Sequence, residues 1–97
     1  MIKNIGQSFY RINKYIDRTP IKISSRLSEK YNCNVFLKRE DLQKIRSFKI
    51  RGSMNKILKN KDFDSIVVCA SAGNHAQGVA YCCNLLNLKG MIFCPTT

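Results

Sequence analysis

A chain of 97 residues that is 44% hydrophobic and 24% charged has room for one small domain with a modest core, and its composition excludes an extended disordered polymer. No apolar run is long enough to cross a bilayer, and Lys3, Asn4, Gln7, Arg11 and Lys14 break up the start as no secretory leader would allow, so a soluble cytoplasmic protein is expected. The net charge of +11 raises the question of nucleic acid. Every Lys and Arg except Lys89 lies at or before Lys61, interleaved with Ile, Asn and Tyr and without a nucleic-acid-binding motif, so nucleic acid is not the expected partner. The five cysteines (Cys33, Cys69, Cys82, Cys83 and Cys94) form no Cys-x-x-Cys, and His75 is the single histidine; no metal site is expected, and free buried thiols in a reducing compartment fit best.

In chain order, Ile5, Phe9, Ile12 and Ile16 recur at helical spacing, and Pro20 ends that helix by pushing Thr19 out of the helical region. Ser24 or Ser25 caps a shorter helix carrying Leu27 and Tyr31. Asn32 and Asn34 mark a turn into a short strand over residues 35–38, and residues 40–46 read as polar loop. Ser47 is the expected N-cap of the next helix, whose buried stripe is Ile50, Met54, Ile57 and Leu58, with Gly52 in its first turn. The pattern and the charge balance both change at residues 60–62. Residues 65–70 then read as a strand buried on both faces, residues 71–75 as a turn, and Ala76, Val79, Ala80, Cys83 and Leu86 as the apolar face of a helix. Gly90 ends the connection to a strand over residues 91–94, which completes a βαβ unit.

Chemistry concentrates in two of these junctions. Lys49 opens a helix, where the dipole disfavours a cation, and Arg46 and Arg51 flank it; both effects favour the neutral amine that can attack a carbonyl and form a Schiff base. The alternative is an ordinary solvated lysine. The turn Ser71-Ala72-Gly73-Asn74-His75 lies beyond the carboxyl end of a strand and at a helix N-terminus, where unpaired amides receive an anion. It lacks the length and the Lys-Ser/Thr ending of a Walker loop and is not G-x-G-x-x-G, so a carboxylate is the more natural guest. The alternative is a capped helix in which Asn74 and His75 satisfy backbone groups. His75, without a second histidine or a carboxylate partner, reads as a hydrogen-bonding or structural residue rather than a general acid or base. Cys82 and Cys83 read as packing residues, and Glu40 and Asp41 as salt-bridge partners of nearby Lys or Arg.

Three blocks carry a family resemblance: Lys38-Arg39-Glu40-Asp41-Leu42-Gln43, then Ser47-Phe48-Lys49-Ile50-Arg51-Gly52, then the run from Ala70 to Ala80 that contains Ser71-Ala72-Gly73-Asn74-His75. Together with Arg18-Thr19-Pro20 and Pro95-Thr96-Thr97 they resemble the threonine dehydratases (threonine ammonia-lyases), which are fold-type II pyridoxal-phosphate enzymes; Ser53 stands where the family usually has alanine. The resemblance implies an α/β fold of open parallel-sheet layers with helices, and pyridoxal 5'-phosphate as cofactor. It implies that Lys49 carries the cofactor in a Schiff base and takes the substrate's α-proton, that Phe48 packs on the pyridine ring and that Asn74 bonds the ring's 3-hydroxyl. Ser71, Ala72, Asn74 and His75 would receive the carboxylate of an amino-acid substrate. The implied reaction is deamination of L-threonine to 2-oxobutanoate and ammonia, with L-serine as second substrate, in isoleucine biosynthesis and in a homo-oligomeric enzyme. Serine racemase, a catabolic dehydratase and a non-catalytic binding module are the alternatives. Residues 1–60 would belong to the large cofactor domain and residues 61–97 to the small one. The family's glycine-rich phosphate loop lies beyond Thr97, so the expectation is an N-terminal portion of the enzyme.

Overall fold

Helix α1 (Ile2–Ile12) starts earlier than its apolar stripe and ends well before Pro20, in a turn over residues 13–15. Its stripe is used at one end only: Ile12 is buried and Ile16 packs against the core, whereas Ile5 and Phe9 stay exposed. The computed structural model describes residues 1–60, 62 and 64–96, so Lys61, where the second predicted domain begins, and Thr97 lie outside the described residues. After α1 come β1 (Ile21–Ile23), α2 (Ser25–Tyr31), β2 (Phe36–Lys38), a 3-10 turn (Glu40–Leu42), α3 (Lys49–Asn60), β3 (Ile66–Ala70), α4 (Asn74–Leu85) and β4 (Lys89–Phe93).

The first small sheet pairs β1 with β2 antiparallel, Lys22 opposite Leu37. β1 carries no periodic signal, being three residues long. Of the two serines, Ser24 is the cap of α2, its Oγ accepting from the Leu27 N–H at 3.4 Å. Asn32, at φ 50°, ends α2 in the left-handed region that asparagine tolerates, as the turn signal implied.

The core lies between α3 and α4. Ile50, Met54 and Ile57 of α3 meet Val79, Cys82 and Cys83 of α4, with Ile12 and Ile45 at the margins. The predicted α3 stripe holds, with Leu58 half-buried. On α4 the face is rotated from the expectation: Gly78 and Cys82 are buried and Ala80 is exposed. The rotation goes with close approach, since a Cβ on Gly78 would lie 2.8 Å from Ser53 Oγ, and with serine at position 53 a glycine lets the helices meet there. Gly90 has a similar duty inside β4, where an added Cβ would be 3.1 Å from Cys83 Sγ.

Strands β3 and β4 pair in parallel through α4, Val68 opposite Met91 and Ala70 opposite Phe93, which is the expected βαβ unit. The reading of residues 65–70 as buried on both faces is corrected. Val67, Cys69 and Ile92 face α4 and are partly buried, but Ile66, Val68, Met91 and Phe93 are about half exposed. A continuous apolar run suits a strand covered by two layers, and among the described residues only α4 supplies one. The shape agrees with this openness: the radius of gyration is 16.2 Å, against about 13 Å for a compact domain of ~100 residues.

Candidate active site

Lys49 is the first residue of α3 and is exposed, its Nζ 5.6 Å from the centroid of the equally open Phe48 ring. The helix does not start where the sequence suggested. Arg46 adopts φ 60° and its N–H bonds Gln43 O at 2.9 Å, a tight turn that carries Ser47 inward. Ser47 is therefore buried with its Oγ unpaired among the described residues and is not the cap. The Phe48 carbonyl takes up the helix start instead, accepting from Arg51 N–H at 3.1 Å.

Residues 40–46, expected as loop, contain a buried polar anchor. Glu40 accepts from two Arg51 nitrogens, Nη2 at 2.6 Å and Nε at 2.7 Å, from Thr19 Oγ1 at 2.5 Å and from Gln43 Nε2 at 3.3 Å. Gln43 is 1% exposed, because the Asp17 backbone satisfies its amide at both ends: Nε2 donates to Asp17 O at 2.8 Å and Oε1 accepts from Asp17 N–H at 3.1 Å. The Arg51 guanidinium holds the Glu40 carboxyl down at about 2, with burial opposing and Thr19 assisting. In return the Glu40 hydrogen bond raises Arg51. Asp41 pairs with Arg39 at 2.6 Å on the surface, so both carboxylates make the ion pairs the sequence implied. The pairing corrects one premise, however: Arg51 does not act on Lys49 as a free cation, since Glu40 balances its charge.

The second junction is built from the end of β3. Ser71 N–H donates to Phe93 O at 3.0 Å, Ser71 Oγ accepts from Gly73 N–H at 3.3 Å, and Cys94 Sγ donates to Ser71 O at 3.2 Å. These bonds fix the turn to β4. Helix α4 then starts at Asn74 with no side-chain cap, so its first amides keep the unsatisfied donors of any helix start. Asn74 and His75 are exposed, and among the described residues neither side chain makes an intramolecular hydrogen bond. The capped-helix alternative required those bonds. A Cβ on Gly73 would have nothing within 4 Å, so the turn is open to a ligand. Beside it Ala70, Ser71, Ala72, Phe93, Cys94 and Pro95 line a depression of about 360 Å³.

Helix packing brings the junctions together. A Cβ on Gly78 would lie 3.4 Å from Lys49 O, so the second turn of α4 rests on the first turn of α3. Asn74 precedes Gly78 by about one helical turn, or ~5.4 Å. Sequence reasoning missed Gly78, Thr19 and Gln43 as supports of the site; the only local signal for any of them is a glycine inside a helical pattern.

The residues present fit the reactive end of pyridoxal phosphate. An exposed amine sits beside an exposed aromatic face, Gly52 leaves open space one turn along α3, and the free amide of Asn74 suits a ring hydroxyl. Comparison with known proteins agrees with this chemistry. The family described as pyridoxal-phosphate dependent enzyme matches residues 12–97. The biosynthetic L-threonine dehydratase of Staphylococcus epidermidis is 53% identical over 97 residues, covering 98% of this chain and 23% of that enzyme. That of Bacillus subtilis is 48% identical over 98 residues, with 99% and 23% covered. The chain thus spans about a quarter of the length of these relatives. Among solved structures, threonine deaminase from Solanum lycopersicum (isoform 2, processed form) superposes with a TM-score of 0.79 at 35% identity, covering 98% of this chain and 28% of that one. Serine racemase from Dictyostelium discoideum does so with 0.88 at 35%, covering 99% and 32%.

Proposed function

This chain belongs to the pyridoxal-phosphate dependent enzyme family, with the α/β architecture of its fold-type II members, and we propose that it forms the lysine-bearing and carboxylate-binding part of a threonine dehydratase. The reaction is the net conversion of L-threonine to 2-oxobutanoate and ammonia, with L-serine as second substrate, in isoleucine biosynthesis. One observation carries the reading. At Gly78 the second turn of α4 packs on the first turn of α3, which opens with the exposed Lys49, one turn from an uncapped helix start whose Asn74 and His75 side chains make no hydrogen bond among the described residues.

In this reading the cofactor, when bound, supplies an electron sink for the pair released as the Cα–H bond breaks. Lys49 would provide the amine that anchors it, and its Nζ would take the α-proton. Phe48 would pack against the ring face and Asn74 would bond the ring hydroxyl. Ser71, the Ala72 backbone, Asn74 and His75 hold the substrate carboxylate, aided by the dipole of α4. The carboxylate then fixes the substrate's orientation relative to Lys49, the kind of positioning on which proton transfer depends. Residues 1–60 would belong to a larger cofactor domain and residues 61–97 to a smaller one, with the substrate between them, in a cytoplasmic homo-oligomer.

A racemase reading has one specific support, the high superposition of a serine racemase. Both readings are tested in the protein that carries these residues. Borohydride reduction with pyridoxal phosphate should fix a cofactor adduct on Lys49, and Lys49→Ala should abolish it. Threonine and serine deamination is then assayed beside serine racemisation. An adduct on another lysine overturns the Lys49 assignment, and racemisation without deamination overturns the dehydratase.

A further inference from the structure

A polar anchor centred on Glu40 lies at the start of α3. Three separate segments meet at Glu40: the connection from α1 to β1 through Thr19, the 3-10 turn through Gln43, and the first turn of α3 through Arg51. Gln43 extends the joint to the Asp17 backbone, and Lys38 Nζ closes it on Thr19 O at 2.5 Å. The contact to Arg51 is bidentate, so it constrains direction as well as distance. Arg51 sits two residues after Lys49 on the same helical turn, and from Gln43 to Lys49 the chain passes only the tight turn at Arg46. A rotation or slide of α3 about its start would break both guanidinium bonds at once.

We propose that Glu40 is a positioning residue: through Arg51 it sets the orientation of the first turn of α3 and so aims the Lys49 amine toward the α4 junction. The proposal rests on the reading of Lys49 as the cofactor-bearing lysine. It adds a function to residues that otherwise serve as an ion pair beside the site, and it makes a geometric claim. Neutralising Glu40 while keeping its shape, or keeping the Arg51 charge while removing its fork, should have the same consequence.

The test uses the protein that carries these residues. It is treated with pyridoxal phosphate and borohydride, and peptide mass spectrometry reads the ratio of adduct at Lys49 to adduct at Lys30, a lysine of α2 outside the network. Wild type should favour Lys49. Glu40→Gln and Arg51→Lys should each lower that ratio about tenfold, a part of the ~100-fold that a 1 Å misplacement of a reacting group can cost, with Lys30 labelling unchanged. The double variant should lose no more than either single one, since the two residues act as a unit. Glu40→Asp, which keeps the carboxylate, should recover at least half of the wild-type ratio. Equal ratios in wild type and both single variants overturn the positioning role, and so do losses that multiply in the double variant. Should Glu40→Gln fail to fold, Arg51→Lys decides alone. A wild-type ratio no higher than that of the denatured chain overturns the Lys49 reading itself, a different outcome from the loss of Glu40's role.

Discussion

Substituting Gly78 by alanine probes the contact that brings the two junctions together. The new Cβ would meet Ser53 Oγ at 2.8 Å, closer than side chains tolerate, and would lie at ordinary contact distance, 3.4 Å, from Ile45 Cδ1 and Lys49 O. Overpacking of this kind costs about 1–3 kcal/mol, while replacing a helical glycine returns roughly 0.5–1 kcal/mol. Gly78→Ala should therefore destabilise by about 1 kcal/mol. The obstacle is one atom, and Ser53 Oγ is itself buried without a hydrogen-bond partner among the described residues. Ser53→Ala removes both the obstacle and the unsatisfied hydroxyl, and should be neutral or stabilising by up to about 1 kcal/mol. In that background Gly78→Ala meets only ordinary contacts and should stabilise by roughly 0.5–1 kcal/mol. The coupling between the two sites is thus about 1–2 kcal/mol. Urea unfolding followed by far-ultraviolet circular dichroism reads all four corners of the cycle. A Gly78→Ala cost that is the same with serine or alanine at position 53 would refute the geometry.

The acid limb of stability should depend on Glu40. Its carboxyl titrates at about 2 in the fold against an ordinary 4.5, so its contribution is complete above the ordinary value and is lost as pH falls toward 2. The shift sets a ceiling of about 3 kcal/mol, which solvent screening of the partly exposed Arg51 reduces to about 1–2 kcal/mol. Glu40→Gln should cost that amount at pH 7 and flatten the decline in urea midpoint between about pH 5 and 2; an unchanged decline would exclude the ion pair as its source. The cysteines should divide by burial. Burial first, then Cys83, pushes the Cys82 thiol up to about 12, and burial raises Cys83 as well. An aromatic disulfide reagent at about pH 8 should react at once with the exposed Cys33 and Cys94 and reach Cys82 and Cys83 only after unfolding. Uniform reactivity would mean that the α3–α4 core does not form.

Features encoded by neighbours in the chain were legible, and those encoded by distant pairs were not. The stripe of α3 and most of that of α4 follow the helical period, and the lysine block and the Ser-Ala-Gly-Asn-His turn are contiguous, so both halves of the candidate site could be named from residues alone. What brings them together is Gly78 against Ser53 and Lys49, a contact between two helices whose only local mark is a glycine inside a helical pattern, which does not say what it meets. Gln43 is a polar residue in a polar stretch, and nothing near it foretells burial, because its partners are the Asp17 amide and carbonyl. The helix start shifted from Ser47 to Phe48 for a related reason: Arg46 enters the left-handed region, which arginine seldom does and no propensity announces.

The charge on Arg51 shows how the same limit reaches the chemistry. By spacing it is a second cation beside Lys49, and it would favour the neutral amine by repulsion. In the fold its guanidinium is committed to Glu40, so it contributes direction instead of field. Aim is supplied by a carboxylate that precedes Lys49 by a 3-10 turn and one left-handed residue. The bare face of Ile66, Val68, Met91 and Phe93 completes the contrast. A strand apolar on both sides suits two covering layers, but among the described residues α4 covers one face only, so the apolar run by itself did not establish burial on both.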